Sequence, residues 1–399
     1  MKTGEKKSII SLSKIDKSDC KSFKFGEIAF NISERVEPKN TDAEIYVGLE
    51  HLDPDSIHIR RTGVPSDVEG TKLKVYKGDI IFGKRRAYQR KAAIAHFDGI
   101  CSAHSMVLRA NPETIEPDLF PFFIHSDIFM NRAVDISEGS LSPTIKWRTL
   151  SEQEFCLPSR PIQKKLAELL WAIDDVSEKN HKIAEAINIY KSVFLKRLLS
   201  NGSGKELRLG DMGELVRGVG YKPDDVGMEY SNTHLPILRS NNIQNGKIKF
   251  SNLYFISKNR INEYQILKEG DIVICMSNGS KELVGKTAEF NGYNCPISFG
   301  SFCAVFRPAK EYYEITKYLF QTTTYREHIR LLLTGTNINN LKPSDIESIS
   351  FNVTKEALNM KTLKHLSVVD QSQKQNTIYN QNIKNIAMAL VSNFFPYEF

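Results

Sequence analysis

Apolar residues between positions 161 and 200 recur in alternating steps of four and three: Ile162, Leu166, Leu169, Ile173, Val176, Ile183, Ile187, Tyr190 and Phe194. That rhythm is the heptad seam of a coiled coil. It predicts one helix of about 60 Å, at 1.5 Å per residue, with Pro161 in its first turn and NGSG at 201–204 ending it. Asn180 takes the one seam place that is not apolar. A buried Asn there costs stability and fixes register. A shift of about 196 residues carries the same seam onto residues 357–395, at Leu358, Val369, Tyr379, Ile383, Ile386 and Leu390, and carries Asn180 onto Asn376. Thr362, His365 and Ser372 take seam places in the first half of this second helix and weaken it. The expected pairing is antiparallel and seam to seam, through Ile173, Val176, Asn180, Ile183, Ile187 and Tyr190 against Val369, Asn376, Tyr379, Ile383 and Ile386. The other arrangement the pattern allows is that each helix packs on its own domain.

Between and before these helices the pattern changes to short apolar runs punctuated by glycine. Lys74-Val75-Tyr76, Asp79-Ile80-Ile81-Phe82 and Met106-Val107-Leu108 have the composition of strands. A helix is expected around 117–135, and another around 311–333. The runs are duplicated. KGDIIFGKRR (77–86) matches EGDIVICMSN (269–278). Ala95, Phe97 and Gly99 match Ala288, Phe290 and Gly292. GSLSPTIKWRTLSEQEFCLP (139–158) matches GTNINNLKPSDIESISFNV (335–353). The shift grows from about 192 to about 196 residues, so the repeat is a duplicated domain and not a solenoid unit. The fold class expected is α+β: two similar α+β domains joined by two long antiparallel coiled-coil helices. The boundaries expected are 1–160 for the first domain, 161–204 for the central helix and linker, 205–355 for the second domain and 356–399 for the C-terminal helix.

The composition is that of a globular chain of 399 residues, long enough for two or three domains. No stretch reaches the run of about 18 apolar residues that a membrane span needs, and the first 19 residues lack the apolar core of a signal peptide. The six cysteines are scattered and form no C-x-x-C pair, which predicts reduced thiols in a cytoplasmic protein. A net charge of +7 permits a polyanionic partner.

That charge is concentrated. In KGDIIFGKRRAYQRK (77–91), six cations stand beside one acid, Asp79. Lys84, Arg85, Arg86, Tyr88, Arg90 and Lys91 are therefore candidates for contact with nucleic acid, because Arg and Lys neutralise phosphates and Arg forks onto guanine. The same tip in the second copy offers Ser277, Asn278, Lys281 and Lys286. A matched scaffold with different polar tips is what two readers of different short sequences would show. The loop before each long helix adds Lys146 and Arg148 in the first copy, and Asn339, Asn340 and Lys342 in the second. Trp147, beside them, reads as core. ILRSNNIQNG (237–246) adds Arg239, Asn241 and Asn242, with Asn suited to adenine. Each of these stretches also has a plain reading, as a solvated turn.

No catalytic constellation is found. Gly285-Lys286-Thr287 looks like the end of a phosphate-binding loop, but Ser280 stands where the first glycine is required, and the context is strand–turn–strand. No [DNS]-P-P-[FYW] tetrapeptide occurs, since Asn111-Pro112 is followed by Glu113. The histidines do not cluster at metal-ligand spacing. His96, Cys101 and His104 are the one group in which a cryptic enzyme site can be sought.

Taken in order, GDIIFGKRRAYQRKAAIAHFDG, the GSLSPTIKWRTLS run into PIQKKLAELLWAIDD, and LRLGDMGELVRGVGYKP (207–223) resemble the specificity (S) subunit of type I restriction-modification enzymes. The resemblance covers nearly the whole chain. It implies two target recognition domains, each reading one half of a bipartite site in double-stranded DNA. It also implies paired helices that set the spacing and dock two methyltransferase (M) subunits, and two restriction/translocase (R) subunits beyond them. S-adenosylmethionine, ATP and Mg would be held by those partners, and no cofactor, metal or catalytic residue would be held by this chain. The second helix departs from the pattern in being rich in Gln and Asn and in its aromatic tail, Asn393-Phe394-Phe395-Pro396-Tyr397. The competing reading is a coiled-coil interaction scaffold without sequence-specific DNA binding.

Overall fold

The computed structural model describes residues 20–54, 56–200, 204–334 and 339–395. The first 19 residues, most of the NGSG stop signal, Ile338 and the Pro396-Tyr397 end of the aromatic tail lie outside the described residues. The chain divides into two units, one formed by residues up to 182 with those from 377 on, the other by residues 183–376.

In the first unit, four antiparallel strands run in the order Ala29–Ile32, Met106–Ala110, Ile80–Phe82 and Ala92–Ile94. The second unit repeats the arrangement with Gly213–Arg217, Cys303–Pro308, Ile272–Cys275 and Thr287–Glu289. The register repeats too: Ile81 faces Val107, and Val273 faces Val305. Ile80-Ile81-Phe82 and Ile272–Cys275 are buried at every residue, which is why they read as continuous apolar runs and not as alternating ones.

The turn ahead of each buried strand is the duplicated Gly-Asp. Asp79 N bonds Tyr76 O, and Asp271 N bonds Lys268 O. Gly78 and Gly270 sit third in these turns at φ +94° and +86°, the left-handed value that a type II turn reserves for glycine. The aspartate that follows is 1% exposed in each copy. Its carboxylate accepts a fork from one arginine, Asp79 from Arg109 at 2.7 and 3.0 Å and Asp271 from Arg307 at 2.9 and 2.7 Å. The single acid of the basic cluster thus belongs to a structural ion pair inside the domain.

The smaller sheets differ between the copies. In the first unit Gly99–Cys101 lies between Lys72–Val75 and Tyr46–Val47; in the second, His234–Leu238 holds the inner place, between Tyr254–Ser257 and Ser298–Phe299. The second copy also has an extra hairpin, Ile243–Gln244 with Lys247–Ile248.

Each helix expected as one segment is two. Phe120–Ile124 and Asp127–Asp135 are separated by Ser126, and Tyr313–Leu319 and Thr323–Leu333 by Thr322. Both hydroxyls work in the same way. Ser126 accepts from Phe129 N and donates to Phe123 O; Thr322 accepts from Tyr325 N and donates to Leu319 O. Such an N-cap starts a new helix in mid-run, and apolar periodicity continues across it undisturbed.

The long helices are Arg160–Ser200 and Met360–Phe394. In the first unit, Leu166, Ala167 and Leu170 share one core with Leu390, Val391, Phe394 and Phe395. Asn180 donates its side-chain amide to Asn380, one turn beyond the expected Asn376. In the second unit, Leu195 and Leu198 share a core with Leu363 and Leu366. There Lys191 pairs with Asp370 at 2.6 Å, and Gln373 bonds Asn188. The two helices therefore run antiparallel within each unit.

Half of the expected seam is corrected. Ile173, Asn180, Ile187, Val369, Asn376 and Ile383 are buried or half-buried, as a seam requires. Val176, Ile183, Tyr190, Tyr379 and Ile386 are exposed, by 40 to 55%, although Tyr190 still pairs the helices, its hydroxyl 2.6 Å from His365 Nε2. Their inward places go to the neighbours Ser177, Ala184, Lys191, Asn380 and Ala387, each half-buried. Small and polar side chains let the backbones approach and bond, and they leave no apolar periodicity to read.

A loop of the first unit is tied to the central helix by charge. His58 Nε2 lies 2.9 Å from Asp174, and Arg60 pairs with Glu178 one turn on. The Asp174 hydrogen bond holds the His58 pKa above its ordinary value, against the opposing effect of burial. This pair is therefore strongest below the ordinary histidine range and weakens as the pH rises through the raised value.

Candidate nucleic-acid interface

The segments that carry the sequence candidates are distant in the chain and meet in the fold. In the first copy, the tip after Ile80–Phe82 lies against the loop before the short helix Trp147–Ser151. Ile145 N donates to Lys84 O at 2.9 Å, Arg86 N donates to Pro143 O at 2.7 Å, and Arg85 bridges Thr144. In the second copy the same three links recur. Leu341 N donates to Met276 O at 2.8 Å, Asn278 N to Asn339 O at 3.3 Å, and Ser277 bridges Asn340. Arg85 and Arg86 thus occupy the places of Ser277 and Asn278. One scaffold presents two side-chain sets.

The first set is cationic and held in place. Arg85 and Arg86 each donate Nε to Ser142 Oγ at 3.1 Å. One hydroxyl fixes the roots of both guanidinium groups. Arg85 Nη1 also reaches His104 Nε2 at 3.5 Å. The backbone of Arg86 is left-handed, at φ +58°. A bulky residue there is strained, and such strain gathers at functional loops. Tyr88 is 56% exposed beside them. Lys84 is half-buried and its pKa is lowered, mainly by burial and further by Arg35. A poorly solvated cation next to other cations favours a bound anion. Arg148 is exposed, and Lys146 is exposed and paired with Glu138 at 2.6 Å.

Two candidates of the first copy belong to the scaffold. Arg90, also left-handed at φ +51°, pairs with Asp127 at 2.7 Å and reaches His125 O. Lys91 donates to Leu49 O at 2.7 Å. Both turn from the tip to the domain beneath it, where the His125 and Leu49 carbonyls and the first-turn Asp127 carboxylate accept from them. Trp147 packs edge-on against Phe25, ring centroids 5.8 Å apart, so it is core.

The second set is mostly neutral. Ser277 and Asn278 are half-buried, with Asn278 Oδ1 accepting from Ser280 N at 3.1 Å. Asn339 donates to Gly279 O at 3.0 Å. Asn340, Lys281 and Lys342 are exposed, and Lys286 is half-buried. Asn242 is a scaffold residue: it is 1% exposed, donates to Lys249 O and Ser251 O, and accepts from Arg239 N. It locks the loop that presents Arg239 and the exposed Asn241. Arg239 sits over Tyr254, its guanidinium carbon 3.5 Å from the ring centroid. Ser240 and Asn278 both lower the pKa of the Cys275 thiol against the larger effect of burial, so this loop adjoins the tip. The glycine of Gly285-Lys286-Thr287 is a packing device. Gly285, at φ +73°, accepts from Tyr325 at 2.9 Å, and a Cβ there would lie 2.7 Å from Ile329.

Ser142, Tyr254 and the exposed Phe302, whose carbonyl accepts from Met276 N at 2.9 Å and Ser277 N at 3.3 Å, are site residues that the sequence reading did not single out. Ser142 stands within SPTIKWR, and only the fold shows that two arginines converge on it. The group sought as a cryptic enzyme site is not assembled as one. His96 stacks on His58, His104 sits by Arg85, and burial pushes the Cys101 thiol up to about 12, the wrong direction for a nucleophile. Among the described residues no group of three His, Cys, Asp or Glu can hold a metal ion, and no helix is long and apolar enough to cross a membrane.

Residues 37–188 match the family model of the type I restriction modification DNA specificity domain. The chain is 41% identical over 138 residues to the type I restriction enzyme EcoKI specificity subunit of Escherichia coli (strain K12), and 42% identical over 140 residues to the StySPI specificity subunit of Salmonella potsdam. Each match covers 34% of this chain and 29% of the relative's own length. The fold is shared over a far greater length. The type I restriction-modification S subunit of M. genitalium superposes with a TM-score of 0.58 at 15% identity, covering 97% of this chain and 99% of that one. A chain from a structure describing the assembly and conformational transition of the type I R-M system superposes at 0.52 and 18% identity, covering 96% and 99%. Residues 37–188 are thus similar to a DNA specificity domain, and the chain shares the fold of an S subunit. Its resemblance to the specificity subunits of type I restriction-modification enzymes holds.

Proposed function

We propose that this chain is the DNA sequence-specificity subunit of a type I restriction-modification complex. Each copy reads one half of a bipartite site in double-stranded DNA, and the paired helices set the spacing between the halves. The observation that carries this reading is the surface built twice from the same backbone links with different side chains, Arg85 and Arg86 against Ser277 and Asn278. The chain is non-catalytic in this reading. Two methyltransferase subunits dock on the helices, where each unit leaves apolar side chains exposed: Tyr379 and Ile386 in the first, Ile183 and Tyr190 in the second. The restriction/translocase subunits complete the complex. S-adenosylmethionine, ATP and Mg are held by those partners, and the complex works in the cytoplasm.

Cations around the two surfaces neutralise phosphates, which makes affinity fall with salt by about 0.9 in log–log slope for each contact. Replacing Arg148, Lys281 and Lys342 by glutamine is expected to weaken binding to all duplexes alike and to reduce the slope by about 1 for each substitution. Titration of the complex on DNA across salt concentrations measures this. An unchanged slope favours the scaffold reading instead.

A further inference from the structure

The two copies differ in where they keep an arginine beside the tip: Arg85 and Arg86 are exposed on it, and Arg239 is half-buried next to it. Val47 and Leu238 hold equivalent places. Val47 O accepts from Ser102 N at 2.9 Å, and Leu238 O from Gly300 N at 2.8 Å. Each also ends a strand paired in parallel, with Cys101 and Phe299 respectively. The residues that follow are Gly48 in the first copy and Arg239 in the second. The first copy has no side chain at this place, and a Cβ there would meet only the movable end of Glu50. Its arginines stand on the tip instead, where the second copy has Ser277 and Asn278.

Arg239 is built to stay in one orientation. Its guanidinium carbon sits over the Tyr254 ring, Nη2 donates to Asn252 O at 3.2 Å, and its own backbone N–H is bound by the buried Asn242. Nε is buried and has no acceptor among the described residues. A guanidinium anchored on a ring and at its buried Nε side, with its Nη end left to bond, suits a planar pair of acceptors, and guanine offers O6 and N7 in the major groove. A phosphate contact would need neither the ring platform nor the locked loop.

We propose that Arg239 is the base-reading residue of the second copy and recognises guanine, the task performed from a different scaffold position by Arg85 and Arg86 in the first. This rests on the reading of the chain as a DNA specificity subunit, and deepens it: each half-site contains a G·C pair read by arginine. The test is selection from randomised duplexes by the complete complex, wild type and variants. The wild type is expected to return two half-sites, each with a G·C pair. Arg239→Lys keeps the charge and loses the fork. It is expected to keep the salt slope and to lose preference at one G·C pair of one half-site by about 10- to 100-fold. Tyr254→Leu leaves the arginine and removes its platform, and is expected to relax the same position. Replacing Arg85 and Arg86 by lysine is expected to relax the other half-site alone. If Arg239→Lys leaves every base preference as it was, or relaxes both half-sites equally, the assignment fails while the specificity reading stands. If the wild type selects no sequence at all, that reading fails and takes the assignment with it.

Discussion

Phe395→Ala unfolds the first copy, although the residue lies at the far end of the chain from it. Phe395 is 1% exposed, and its ring centroid is 5.2 Å from that of Phe123. It belongs to one core with Phe25, Phe129 and Phe155, which residues near the start of the chain supply. Cutting a buried phenylalanine to alanine costs about 3–5 kcal/mol, from lost burial and the cavity left behind. Amide hydrogen exchange is the measurement. Protection is expected to fall across Ile80–Phe82 and Met106–Ala110, and to hold across Ile272–Cys275 and Cys303–Pro308. Equal loss in both sets contradicts the division of the core.

Asp271→Ala is the second large effect. The carboxylate is 1% exposed and Arg307 is 14% exposed in its side chain, so the substitution leaves a buried cation with only the exposed Glu214, 3.9 Å away, as counter-charge. It also leaves Lys268 N without an acceptor. Breaking a buried pair from one side costs about 3–5 kcal/mol. The twin substitution Asp79→Ala is milder, because Arg109 is 44% exposed and can turn to water. Denaturant titration of both variants is expected to rank Asp271→Ala as the less stable. The reverse order would contradict the burial argument.

The duplication, the α+β class and the long helices were legible because they rest on periodicity and on repeated Gly-Asp turns, which are local signals. The seam was half legible. Asn180, Ile173 and Val369 lie where the heptad put them. The other face was misplaced because its inward residues, Ser177, Ala184, Lys191 and Asn380, are small or polar and carry no apolar signal. Ser126 and Thr322 end a helix through a hydroxyl that the surrounding apolar pattern hides. In the candidate interface, Arg85, Arg86, Arg90 and Lys91 look alike in sequence. What separates them is the direction taken from the strand end, which the left-handed backbone at Arg86 and Arg90 and the acceptors at Asp127 and Leu49 decide. Arg239 was found by residue type, while its platform Tyr254 lies in another strand. Asn242 was read as a contact residue because a buried amide and an exposed one have the same letter.

The most direct test of the central claim is a genome-wide map of N6-methyladenine in the source strain, with and without this gene. The account predicts that one split motif of two short half-sites loses its methylation on deletion. It contradicts the account if the chain is expressed together with its methyltransferase partner and no motif changes.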